Sequence, residues 1–200
     1  MSTERKFAEE ILQNVKISYP SLFKKTNNPK FPQSSEKWTY NCKFYLNKTK
    51  HAELIAKIIN DIKVLCKDHK MAYSDNKYTI FEDMGVVADA DPSKEPLRDY
   101  FKLSAKNFKQ PNVTDINNKP VFDEELVRDG DIVHAQVKIY AVPKDRPTLL
   151  TCELHHVKHI RHDDPIRVGS SPEDATDKFA MLLDDVAPES EELESDTIPF

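Results

Sequence analysis

Glycine is scarce in this chain, with three in 200 residues, Gly85, Gly130 and Gly169, each isolated. A phosphate-cradling loop needs several glycines at fixed offsets, so nucleotide-binding enzymes of the P-loop and dinucleotide types are all but excluded. Cysteine is scarce too. Cys42, Cys66 and Cys152 are few, scattered and odd in number, which rules out a disulfide framework and fits reduced thiols packed as small apolar groups. No apolar run approaches the roughly 18 residues that cross a bilayer, and no charged-then-apolar leader opens the chain. The expectation is a cytoplasmic protein with no membrane partner. A hydrophobic content of 38% suits one domain of about 150 to 180 residues with a real core.

Basic residues are missing from one place in particular. Asp184 to Phe200, seventeen residues, carry seven carboxylates and no lysine or arginine, and end Asp196-Thr197-Ile198-Pro199-Phe200. So polyanionic a segment cannot bury enough apolar surface to offset its ordering entropy, which predicts a disordered tail at 184–200 behind a domain at 1–183. Its tip is different. Pro199 holds the Phe200 ring and the terminal carboxylate in an extended pose, and a partner with an apolar pocket and a basic nest could capture both. The whole chain has 29 basic and 34 acidic residues. Without the tail, 29 basic face 27 acidic residues, so the body is mildly basic at plus 2. Such a body can bind a polyanion if its lysines gather on one face, and a tethered anion could compete for that face.

Alternation of apolar and polar residues predicts strands at Ile11 to Tyr19, Trp38 to Leu46, Leu97 to Ala105, Ile132 to Val142 and Leu149 to Ile160. The last is expected to be bulged, because its alternation slips near His155 and His156. Shorter strands are expected at Lys77 to Phe81 and Val86 to Ala88. Pro20 should turn the chain out of the first strand, setting Tyr19 and Phe23 close to Lys24 and Lys25. Between the second and third long strands, Leu54, Ile55, Ile58, Ile59, Ile62 and Leu65 fall at helical spacing, with Asn47 or Thr49 as a candidate N-cap. Ser171-Pro172-Glu173-Asp174 has the start signals of a short helix running to about Leu183. Asp129-Gly130-Asp131 is a turn. Mainly β, with a helix inserted between strands, this order predicts a five-stranded Greek-key barrel of the oligonucleotide-binding (OB) type; an α+β sandwich is the alternative.

The polar faces of three strands repeat one pairing. Lys43 and Tyr45 share a face, as do Tyr100, Lys102 and Lys106, and Lys138 and Tyr140, with Phe108 in the loop after the second set. Single strands are held by a cationic groove along the phosphates and by rings on which bases stack, so these eight residues are the candidate DNA-binding set.

Two other constellations compete. Cys152, His155, His156, His159 and His162 have metal-like composition, but regular strand geometry sends His155 and His159 to one side and His156 to the other, and edge or surface histidines are the expectation. Asp83, Asp89, Asp91 and Glu95 suggest a Mg²⁺-dependent nuclease, the alternative function, since two-metal chemistry uses clustered carboxylates. Their setting among Pro92, Ser93 and Pro96 favours a solvated loop. No catalytic residue, metal or cofactor is assigned.

Across residues 12 to 183 the order of features resembles the phage single-stranded DNA-binding proteins with an OB barrel. The resemblance rests on Val15 to Phe23, the Trp38 to Leu46 strand and its helix, Gly130-Asp131-Ile132-Val133, Leu154 to Ile160, Pro165 to Val168, and Ser170 to Phe179. The acidic tail closing on Phe200 adds to it. Ile198-Pro199 is more similar to the bacterial proteins' terminus. The resemblance implies sequence-tolerant, non-catalytic binding of single-stranded DNA in phage replication, recombination and repair. It also implies that Asp196, Ile198, Pro199 and Phe200 recruit replication proteins such as a polymerase or helicase. A homodimer is left open.

Overall fold

The computed structural model describes residues 7–26, 33–71, 73, 80–142 and 149–167. The chain divides into two units, residues 1–168 and 169–200, and the description concerns the first. The expected helix at 171–183 and the acidic tail lie outside the described residues. In chain order the elements are β1 (Phe7–Thr26), β2 (Thr39–Asn47), α1 (Ala52–Asp68), β3 (Phe81–Asp83), α2 (Met84–Ala90), β4 (Tyr100–Asn107), β5 (Asn112–Thr114), β6 (Ile132–Val142) and β7 (Leu149–Arg161).

The strands form one sheet in the order β3-β4-β2-β1-β6-β7-β5. β1 pairs antiparallel with both β2 and β6, β2 with β4, and β6 with β7. The Asn107 side-chain amide donates to the Leu154 carbonyl at 3.0 Å, so β4 and β7 approach each other and the sheet curls toward closure. This is the predicted OB-type barrel, with β3 and β5 added beside β4 and β7.

β1 reaches two partners because it bends. A straight strand of its length would span about 66 Å, far beyond a small barrel. Its pairing register shifts between Leu12 and Val15 against β6, and again between Ser18 and Ser21 against β2. Within those shifts Asn14 and Tyr19 have φ of 52° and 48°. The Asn14 N–H, turned off the ladder, donates to His134 Nδ1, and that of Tyr19 to Asp129 Oδ1. Pro20, which has no N–H to give, therefore sits in a bulge instead of ending the strand.

Alternation selects the core. Phe44, Leu46, Leu103, Val137, Ile139 and Leu154 are buried inside, and Ile55, Ile58, Ile62 and Leu65 of α1 join the same cluster. Each such side chain contributes about 1.5 to 3 kcal/mol through burial. Asn47 Oδ1 accepts from the Thr49 and Lys50 N–H groups, making the turn that precedes α1, while His51 occupies the cap position without a side-chain bond. α1 also carries Asp61, buried beside Glu10 of β1, with Lys57 donating to Glu10 at 2.6 Å. Burial, and a hydrogen bond shared with Asp61, raise the Glu10 pKa.

At the turn before β6, Gly130 has φ of 95°, and an added Cβ would lie 2.3 Å from the Pro165 nitrogen. Only glycine lets the 164–165 backbone cross there. One expected short strand is a helix instead. Val86 to Ala88 belongs to α2, which starts because the Asp83 carboxylate accepts from the Gly85 N–H. Of the expected 77–81 strand, residues 77–79 lie outside the description and the pairing begins at Phe81.

Candidate nucleic-acid interface

Register places most of the predicted set on one outer face. Across β1, β2 and β4, Lys16 lies beside Tyr45 and Tyr45 beside Lys102; Ser18 beside Lys43 and Lys43 beside Ser104; Asn41 beside Lys106; Asn47 beside Tyr100. Phe108, 60% exposed, follows at the end of β4. Lys43, Tyr100, Lys102, Lys106 and Phe108 are thus brought together.

The face has an ingredient absent from the predicted set. Tyr19, held in left-handed backbone by the bulge, is 66% exposed, and the Lys43 ammonium lies over its ring at 4.7 Å from the centroid. Left-handed backbone costs a non-glycine residue of order 1 to 3 kcal/mol, and here the strain turns a ring outward beside a cation. Partial burial is the main cause that lowers the Lys43 pKa; Lys102 and Lys94 add to it, while Glu82 and Asp129 act against it. Lys102 is paired with Glu82.

Tyr45 is a correction. It is 7% exposed and packs with Met84 and Leu97, under α2 and the 3-10 turn Pro92–Leu97. Its phenol is pushed up to about 12 by burial, so it is no open stacking platform. Instead it supports Tyr100 edge-on, with ring centroids 6.1 Å apart. Beyond this pair the face continues into a groove of about 850 Å³, lined by Tyr45, Tyr100, Lys16, Lys50, His51 and Arg161 among others. Lys16, Lys50 and Arg161 are outside the set that the sequence pattern predicts. Only for Lys16 was a signal available, since it is the outward position in the Val15 to Ile17 alternation.

Lys138 and Tyr140 lie elsewhere. They share the outer side of β6, but Tyr140 pairs with Phe7 and Lys138 with Glu9. Phe7 and Lys16 are nine residues apart on β1, roughly 30 Å of strand path. Lys138 covers the Phe7 ring at 4.0 Å, and the Tyr140 hydroxyl donates to Glu153 at 2.8 Å. Burial first, then that carboxylate, push the phenol up to about 12.

The competing constellations are resolved by what the side chains touch. Asp83 caps α2 and pairs with Lys48 at 2.6 Å; Asp89 and Glu95 both pair with Arg98; Asp91 accepts from Ser93. These are structural duties, and among the described residues the four acids form no metal-holding group. The histidines divide at the predicted bulge, which falls at His155 between the Leu154 and His156 pairings. Cys152 is buried in the core, His155 faces Glu153, and His156 meets Thr114. His159 and His162 come together at Asp131.

A curled Greek-key barrel with lysines and rings on the outside of β1, β2 and β4 defines the class of oligonucleotide-binding barrels. The chain belongs to the family of the ssDNA-binding protein of Enterobacter phage Enc34, whose model matches residues 8–192. That family is one of DNA-binding proteins. Among solved structures, the ssDNA-binding protein from bacteriophage Enc34 in complex with ssDNA is similar at a TM-score of 0.67 and 18% identity, covering 78% of this chain and 88% of that one. A second structure of the bacteriophage Enc34 protein gives 0.65 at 19% identity, covering 84% and 89%. At these identities the likeness concerns the fold. No curated protein sequence matches the chain.

Proposed function

We propose that this protein binds single-stranded DNA without reading its sequence, protecting and organising single strands in phage DNA replication, recombination and repair in the host cytoplasm. The observation that carries the reading is the outward Tyr19 ring over Lys43, on a face that also presents Tyr100, Lys102, Lys106 and Phe108. Rings offer stacking to any base, each contact worth about 1 to 3 kcal/mol, and the lysines follow the phosphates. Tyr100 continues the path into the groove of Lys16, Lys50 and Arg161.

The acidic tail supplies the regulation in this reading. A flexible segment of its length has an end-to-end distance of about 20 Å, enough to reach back over a small barrel at an effective concentration near millimolar. Its seven carboxylates would compete with DNA phosphates for the basic face. Where DNA wins, the Ile198-Pro199-Phe200 tip, with Asp196, is free to recruit a polymerase, helicase or recombination protein.

Mobility shifts with single- and double-stranded oligonucleotides, with and without Mg²⁺, test the binding claim. Strong preference for single strands and intact oligonucleotide in Mg²⁺ are expected; equal affinity for duplex sinks the reading, and cleavage in Mg²⁺ revives the nuclease. Deleting Asp184 to Phe200 should tighten binding. Deleting Phe200 alone should leave affinity almost unchanged while abolishing partner pull-down, and survival of the pull-down would refute the role of the tip.

A further inference from the structure

On a regular strand His159 and His162, an odd number of residues apart, would point to opposite faces. The register shift between the Ile132–Arg161 and Val133–His159 pairings leaves Ile160 without a partner. This bulge turns both imidazoles toward Asp131, at the turn into β6. His159 Nε2 lies 3.1 Å from Asp131 Oδ2, and His162 Nδ1 is hydrogen-bonded to Asp131 at 3.1 Å from that same oxygen and from Oδ1. All three ligand atoms fall within 4.8 Å of one another, and Asp131 is 1% exposed.

One detail separates this cluster from an ordinary carboxylate-imidazole contact. His159 Nε2 is a buried atom that makes no hydrogen bond, although the carboxylate oxygen is 3.1 Å away. The contact is close but lacks hydrogen-bond geometry, an arrangement that two ligands of one ion would also show. With metal bonds of about 2.0 Å, the edge of a tetrahedron is about 3.3 Å, close to both measured spacings. The His162 side chain is 56% exposed, so it can rotate to close the third edge. Asp131 is held in place by the Arg128 and Asp163 N–H groups.

We propose that Asp131, His159 and His162 form a binding site for a first-row divalent transition metal, of which Zn²⁺ is the natural probe. Two imidazoles with one carboxylate suit zinc, cobalt or nickel and disfavour magnesium and calcium, which take oxygen ligands. Three protein ligands leave a fourth position for water on the solvent side of His162. The ion would clamp the end of β7 to the turn before β6. That turn also holds Tyr19 through Asp129 and β1 through the hydrogen bond from Ile17 N–H to the Asp131 carbonyl.

The test uses the full, untagged chain, stripped of metal, titrated with Zn²⁺ by calorimetry and with Co²⁺ by visible absorption. One ion per chain is expected, with Co²⁺ bands of a four-coordinate site and a Zn²⁺-dependent rise in melting temperature. His162→Gln and His159→Gln should each weaken binding at least about tenfold, and His155→Gln, on the bulge beside Glu153, should not. Thermal unfolding in chelator verifies that each variant folds; exposed His162 provides the variant least able to disturb the core. Absence of saturable binding overturns the proposal, as does Zn²⁺ affinity undiminished in His162→Gln, or lost in His155→Gln.

Discussion

Two regions of the barrel carry the same sequence pattern, lysine and tyrosine alternating on the outer side of a strand, and the fold treats them differently. On β1, β2 and β4, Lys43, Lys102 and Lys106 stand in adjacent rows, and a bulge adds the Tyr19 ring. On β6, Lys138 and Tyr140 are answered by Phe7 and Glu153 and stand beside Glu9. A pattern along one strand says which way side chains point. What they meet is decided by the neighbouring strands, which are distant in sequence.

The sharpest break in that comparison comes from Tyr45, which lies on the lysine-bearing side by register yet belongs to the packing. Tyr45→Ala should cost about 3 to 5 kcal/mol of stability, as large aromatic truncations do, measurable by chemical denaturation. A variant of native stability with lost DNA affinity would return Tyr45 to the interface. Next, Tyr19→Ala and Phe108→Ala should each weaken single-strand binding by about 1 to 3 kcal/mol with little loss of stability. Lys138→Ala and Tyr140→Ala should leave affinity nearly unchanged in the same titrations. A smaller effect is expected for Lys43→Ala and Lys106→Ala, seen best in salt dependence. Each should reduce the slope of log K against log salt by about 0.7, the contribution of one phosphate on a single strand.

The smallest expected effect lies outside both faces, at Glu10. Its folded pKa is raised above the unfolded value, chiefly by burial, so its contribution to stability is fully present below the ordinary carboxylate pKa and is lost as pH rises through the folded value. Unfolding of the wild type and Glu10→Gln between pH 4 and 7 should show this loss only in the wild type. Parallel curves would contradict it.

Much of this was legible in the sequence because burial imposes a strict period. The apolar positions of β6, the bulge at His155 and the amphipathic face of α1 all follow from alternation or helical spacing. Tyr45 was misplaced because α2 covers it, and α2 arises at Val86 and Val87, where a short apolar run reads equally as strand or helix. Tyr19 carries little weight in the sequence, since Pro20 beside it reads as a strand end unless a bulge intervenes. The meeting of His159 with His162 is not visible in alternation, because the unpaired Ile160 changes the parity between them. Each of these departures is a backbone irregularity or a cover supplied from elsewhere in the chain, which local pattern does not encode.

Photo-crosslinking separates the two regions in one measurement. Single-stranded oligonucleotides carrying 5-iodouracil at successive positions, irradiated in complex and analysed by mass spectrometry, should place adducts on Tyr19, Tyr100 and Phe108. Adducts concentrated on Phe7 and Tyr140 instead would show that DNA follows the other face of the barrel.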